Sequence, residues 1–224
     1  MDNFLIYLVY AILFLNLIFY SISFFQKKKA NAFFVSYIVF SFFMQFSMEI
    51  LYRLSIHNLL LVNFFFIGQF ILLGLFFKSL FSNKKQIKCI QLSMYLALFL
   101  IVCQYAYNYH LLFEFNLFVI TLTSLLLVCY ALMNLYNQLT TEKMYYFITI
   151  AVIMYMLSST VLYLIGSLTK DLSDDFKYIS WQLNAFLVIL QQSLYLYECK
   201  KIFLKNKGQI ESISSNINKP KNQL

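Results

Sequence analysis

Long apolar runs separated by short polar breaks make up most of this chain. The breaks at 27–29, 82–85, 140–143 and 170–175 carry Lys, Asp, Glu, Ser, Asn or Thr, while the runs between them are almost free of charge. A helix rises 1.5 Å per residue, so about 20 mostly apolar residues span the hydrocarbon of a bilayer. Seven segments meet that length, and the pattern predicts helices over about 3–25, 31–54, 59–81, 88–107, 111–138, 144–168 and 176–203. The connections at 55–58 and 108–110 are short enough for tight helical hairpins. The first run follows Met1-Asp2-Asn3, which is not a basic n-region, and no small-residue cleavage site comes after it. It reads as a retained helix and not as a signal peptide.

Composition agrees with that pattern. Of 224 residues, 62% are hydrophobic and 12% charged, against about 25% charged in soluble domains. Such a chain has too little polar surface for an ordinary soluble enzyme. The expected fold is all-α, a polytopic membrane bundle of seven transmembrane helices. Residues 1–204 form the membrane domain. Residues 205–224 are polar, hold the single Pro and show no apolar period, so they read as a disordered basic cytoplasmic tail. No internal repeat of the kind found in many transporters is visible.

Charge orients the bundle. Lys27, Lys28 and Lys29 follow the first run; Lys78, Lys84, Lys85 and Lys88 follow the third; Lys143 follows the fifth. Lys200, Lys201, Lys205, Lys207, Lys219 and Lys221 follow the seventh, so 14 of the 17 cations fall on one side. Positive charge accumulates in cytoplasmic loops, which places the N-terminus outside and the C-terminus in the cytoplasm of a cell whose inner membrane holds the protein. Lipid is therefore the first partner. Lys84, Lys85, Lys200 and Lys201 are candidates for docking a protein at the cytoplasmic face. Anionic lipid is the simpler account of them, at about 1 kcal/mol per Lys. Nucleic acid enters only indirectly, through such a protein.

Ionisable residues within spans mark candidate sites. Gln45, Glu49 and Arg53 are four apart and share one helix face. They read either as an intrahelical pair near the interface or as one wall of an outward-facing polar pocket with Glu49 as its anion. His57 and His110 are the two histidines, and Glu114 follows His110 by four. Joined to Glu49 they could bind a cation or respond to pH; as interfacial residues they would cap hairpins and touch headgroups. The seventh run adds Trp181, Asn184 and Gln191, the last two seven apart on one stripe. Interhelical hydrogen bonds, about 0.6 kcal/mol each, or a polar cavity would both use them.

Several chemistries lack their residues. No H-E-x-x-H, C-x-x-C or Gly-rich phosphate loop occurs, so neither metal nor another cofactor is expected. The span from 178 to 197 has no Lys for a retinal Schiff base, and no cytoplasmic His is available to accept phosphate. Cys89 and Cys199 lie near the cytoplasmic edge, where thiols stay reduced.

Two stretches carry a resemblance. One runs from Glu49 to Phe81 and contains Asn58-Leu59-Leu60-Leu61-Val62-Asn63, then Gln69-Phe70, then Leu75-Phe76-Phe77-Lys78. The other runs from Tyr155 to Tyr197 and contains Leu157-Ser158-Ser159-Thr160 and Trp181-Gln182-Leu183-Asn184-Ala185. Together they resemble a group of seven-helix membrane proteins and sensor modules of Bacteroidetes-type bacteria. In that group an Asn, an aromatic and a Glu share the first helix, where Gln69 stands near the Glu position. A Ser-Gly pair stands where this chain has Ser159-Thr160. Group members often precede kinase or regulatory modules that this chain lacks. Seven spans, short loops, no catalytic constellation and a polar seventh run predict a non-enzymatic signalling or regulatory membrane protein acting through a separate partner. A small transporter or pore is the next expectation. A membrane modulator of an RNA-targeting CRISPR defence system follows from size and the basic face. An intramembrane lipid-acting enzyme would need Glu49 within about 2.6–3.2 Å of a histidine, directly or through one water.

Overall fold

Asparagines mark where the apolar runs become helices. The Asn31 Oδ1 accepts from the backbone N–H of Phe33 at 3.0 Å, Asn83 from Lys85 at 2.9 Å and Asn116 from Val119 at 3.3 Å. Each bond satisfies a donor that the first turn of a helix leaves open. In the computed structural model, residues 2–26, 30–140, 144–168 and 174–217 are described. Within them lie α1 (Asp2–Phe25), α2 (Ala32–Arg53), α3 (Leu59–Leu80), α4 (Lys84–Tyr107), α5 (Leu117–Asn137), α6 (Tyr146–Leu168) and α7 (Asp174–Ile217). A short 3-10 helix, Tyr109–Phe113, joins α4 to α5.

Three boundaries differ from the apolar pattern, each for a local reason. The fourth helix starts at Lys84 because Asn83 caps it there. Residues 111–116 leave the fifth helix because Asn108 caps a 3-10 turn and Asn116 starts α5 afresh. The seventh helix continues to Ile217, through much of the segment expected to be disordered. Nothing in 205–217 forbids a helix, since the single Pro comes later, at 220.

Six helices close a ring. Going round it, α1 packs on α2, α2 on α3, α3 on α5, α5 on α6, α6 on α7, and α7 back on α1. The fourth helix stands outside, against α3 and α5. Its sequence shows why: Ile90, Met94, Ala97 and Ile101 are its buried residues, a stripe four, three and four apart. So narrow a stripe seats a helix on one groove and leaves the rest exposed. Gly74 on α3 makes room for it, because a Cβ there would lie 2.8 Å from the Met94 Sδ.

Lipid is as apolar as leucine, so close packing and interhelical hydrogen bonds, more than water exclusion, hold such a bundle. Phe34 sits at the centre of the ring, with its ring centroid 5.0–5.1 Å from those of Tyr20, Phe76 and Tyr195. Across the α1–α7 seam the Asn16 amide donates at 2.9 Å to both the backbone and the side-chain oxygen of Gln192. The Tyr20 hydroxyl donates to the Tyr195 carbonyl at 2.9 Å. Asn134 donates to Thr149 between α5 and α6, also at 2.9 Å.

The outside is apolar. Phe43, Leu92, Tyr95 and Phe99 each expose more than half their surface. Helices α1 to α6 are long and apolar enough to cross a membrane, consistent with an integral, multi-pass membrane protein. Tyr52, Tyr107 and Tyr109 are exposed at one end of the bundle and Tyr136 and Tyr197 at the other, as interfacial aromatic belts are.

Candidate functional site

The ring is packed at one end and hollow at the other. The hollow end holds a cavity of about 970 Å³ to which α1, α2, α3, α6 and α7 all contribute. Its polar wall is α2. Gln45, Glu49 and Arg53, each one turn apart, face it as their spacing of four requires. The Glu49 Oε1 accepts from the Arg53 Nε at 2.7 Å. The Glu49 side chain is 20% exposed and the Arg53 side chain 61%, so the acid belongs to the wall and the guanidinium to the rim. Opposite, α1 presents Tyr7 and Tyr10, three residues apart on one face. The Tyr10 hydroxyl donates to the Glu49 Oε2 at 3.5 Å and to the Gln45 carbonyl at 3.4 Å. Tyr7 lines the cavity near the Arg53 guanidinium.

The floor and far wall come from α3, α6 and α7. Phe65 and Phe66 enter from α3, Tyr155 and Tyr163 from α6, and Asn184, Ala185 and Val188 from α7. The two α6 phenols engage each other, and Asn184 reaches Tyr163. The Asn184 Oδ1 is closed off from the surface and has no hydrogen-bond partner among the described residues.

The expected site residues divide. Gln45, Glu49, Arg53 and Asn184 line this one cavity. His57 lines a neighbouring crevice with Tyr52 and Arg53. His110 lies on the 3-10 turn beside the Tyr109 ring, at 4.0 Å between centroids, and Glu114 is exposed at its end. Neither histidine lines the Glu49 cavity, so the acid–base pair needed for lipid chemistry is not assembled there. Gln191 is buried one turn deeper and donates to the Tyr195 hydroxyl at 2.8 Å. The side chain of Trp181 lies outside the described residues.

Of the five cavity tyrosines, Tyr7 and Tyr10 on α1 and Tyr155 and Tyr163 on α6 did not stand out in the sequence. Their signal was present, since each pair recurs on one helical face at a spacing of three or eight. Eighteen tyrosines in the chain hide such a signal.

The other end of the ring is closed. Glu198 on α7 is 2% exposed, and its Oε2 accepts from the Phe147 backbone N–H at 2.8 Å. It thus caps the first turn of α6 from a neighbouring helix and meets the positive end of that helix dipole. Lys201 stands over the Phe147 ring, 5.4 Å from its centroid. Lys84, Lys85, Lys200 and Lys201 are all exposed at this end. The two pairs occupy α4 and α7, which do not touch, so the fold does not gather them into one patch.

No family model, curated protein or solved structure matches this chain.

Proposed function

We propose that this is a non-enzymatic regulatory protein of a bacterial inner membrane that binds a small ligand in the ring cavity and acts on a separate protein partner. In this reading α7 is the seventh span, the cavity opens on the outer side with the N-terminus, and the lysine-rich end is cytoplasmic. The observation that carries it is the convergence of five helices on one cavity that holds a charged pair, phenols and amides. Few polar groups set in an aromatic and apolar wall are what ligand sites are built from. Among the described residues the lining contributes no Ser, Cys, His or Lys beside Glu49, which favours binding over turnover. The partner is the less anchored half of the proposal. Its support is α7, which lines the cavity at Asn184 and continues past the bundle to Ile217.

Two experiments test it. Native mass spectrometry of the full-length protein in nanodiscs formed from its own membranes should show a bound small molecule, and Val188→Trp, which fills the cavity, should lose it. Identical spectra for both proteins would count against the binding reading. Cysteines introduced beside Lys28 and Lys85 in a cysteine-free background should be labelled only from the cytoplasm, and one beside Asp174 only from outside. Labelling of the first two from outside would overturn the topology.

A transporter is the second reading. Ser41, Gln69 and Gln191 lie buried one turn below the cavity on α2, α3 and α7, and a polar path would begin with them. Phe34, Phe70 and Leu73, all fully buried, fill the ring below. Solute flux in proteoliposomes that Leu73→Trp abolishes would favour this second reading.

A further inference from the structure

We propose that the cavity takes an organic cation, an ammonium group on a small apolar body, and that Arg53 holds its place on Glu49 while the cavity is empty. The inference rests on reading the cavity as a ligand site and names the class of ligand.

Charge comes first. Among the described residues, Glu49 and Arg53 are the two charged ones of the lining. Of the two, Glu49 is the more enclosed, at 20% side-chain exposure against 61%. Arg53 is long, flexible and set at the rim, so it can swing into water at small cost while Glu49 stays in the wall. Losing Arg53 leaves a carboxylate facing the cavity. Its second oxygen is already only weakly engaged, since the Tyr10 hydroxyl stands off at 3.5 Å, the outer limit for a hydrogen bond.

The rest of the wall suits the same ligand. Tyr7, Tyr10, Tyr52, Phe65, Phe66 and Tyr163 surround the space, and aromatic rings attract cations through their quadrupoles. An anion would meet Glu49 and phenol oxygens, and the one cation among the described lining residues already engages Glu49. A bare metal ion would find one carboxylate among the described lining residues of a cavity of about 970 Å³, whereas hard cations take six or more oxygens.

The test uses full-length protein in nanodiscs and three probes of equal shape class: phenyltrimethylammonium, its uncharged isostere tert-butylbenzene, and benzoate. Ligand-observed NMR titration reads affinity. The cation should bind at least about tenfold tighter than the isostere, the scale of one buried charge contact. Glu49→Gln should erase that preference. Arg53→Gln should raise cation affinity, because it removes the resident competitor. An anion site would do the opposite: benzoate would bind best and Arg53→Gln would lose it, which overturns the proposal. Equal binding of cation and isostere, unmoved by Glu49→Gln, would also overturn it while leaving the cavity a ligand site. If all three probes bind equally to wild type and Val188→Trp, or none binds either protein, both this proposal and the binding reading fail. Thermal melting of each variant separates lost binding from lost fold, and the Arg53→Gln gain cannot come from misfolding.

Discussion

At one end of the ring Glu49 borders a cavity and pairs with an arginine that is itself mostly exposed. At the other end Glu198 is buried and spends its carboxylate on the first turn of α6. Both are single acids in long helices. Arg53 stands one turn after Glu49, whereas Ile202 holds that place after Glu198, and their surroundings separate them further. Glu198 receives a backbone N–H from a neighbouring helix, so its charge serves the packing of α6 on α7. Glu49 takes its short bond from its own helix, one turn away, and meets a neighbouring helix only through the Tyr10 hydroxyl at 3.5 Å. An acid held closely by a neighbouring helix closes a bundle, whereas one paired mainly within its own helix can sit beside a hollow.

The sharpest way to break this contrast is to remove both acids and compare the costs. Glu198→Ala leaves a buried first turn of α6 without its acceptor, and a hydrogen bond to a charged group is worth about 1.5–3 kcal/mol. We expect that loss in a reversible denaturant titration in micelles, with α6 amides exchanging faster. A cost below that of Glu49→Gln would refute the structural role given to Glu198.

Next in size is the α2–α3 seam that walls the cavity. A methyl at Gly68 would overlap the Phe40 ring, and overpacking of this kind costs about 1–3 kcal/mol. Gly68→Ala should lower the melting temperature, and pairing it with Phe40→Leu should restore most of the loss. No rescue would mean that the seam is looser than described.

Asn63 gives a smaller effect. Its amide donates at 2.8–3.2 Å to the carbonyls of Leu111, Leu112 and Glu114, which pins the 3-10 turn to α3. Asn63→Ala should cost about 1 kcal/mol and speed protease cleavage near 108–116. Unchanged cleavage would show that the turn holds itself.

Glu49→Gln should be nearly silent in stability, within about 0–1 kcal/mol, as partly exposed ion pairs are. Smallest of all, truncation after Lys205 should leave insertion and melting unchanged. A partner kept by the truncated protein binds the loops or the bundle; a partner lost with it binds the end of α7. Failure to insert would contradict the view that 206–224 is dispensable.

How much of this could be read beforehand follows from what each feature depends on. Apolar run length is local, so the existence of seven helices was legible, as was the shared face of Gln45, Glu49 and Arg53, a matter of helical period alone. Helix starts were less legible. The run at 111–116 is apolar enough for a helix, and the caps at Asn108 and Asn116 outweigh that average.

Proximity between helices lies beyond periodicity. His57, His110 and Glu114 sit at the same end as Glu49 by count, yet helix order in the ring carries His110 and Glu114 to the α4–α5 side. Tyr155 and Tyr163 are unremarkable on α6 until the ring closes and turns them toward Tyr10 and Glu49. The chain by itself determined seven helices, six of them apolar enough to cross a membrane, and an acid–arginine pair on one face, because these rest on residue type and on contacts one turn apart. Only the tertiary structure decided that α4 stands outside, that Glu198 caps a neighbour, and that the hollow falls at Glu49. Those outcomes depend on how six irregular helix surfaces fit together at once, and volume and shape at the seams carry that information, not the pattern along any one helix.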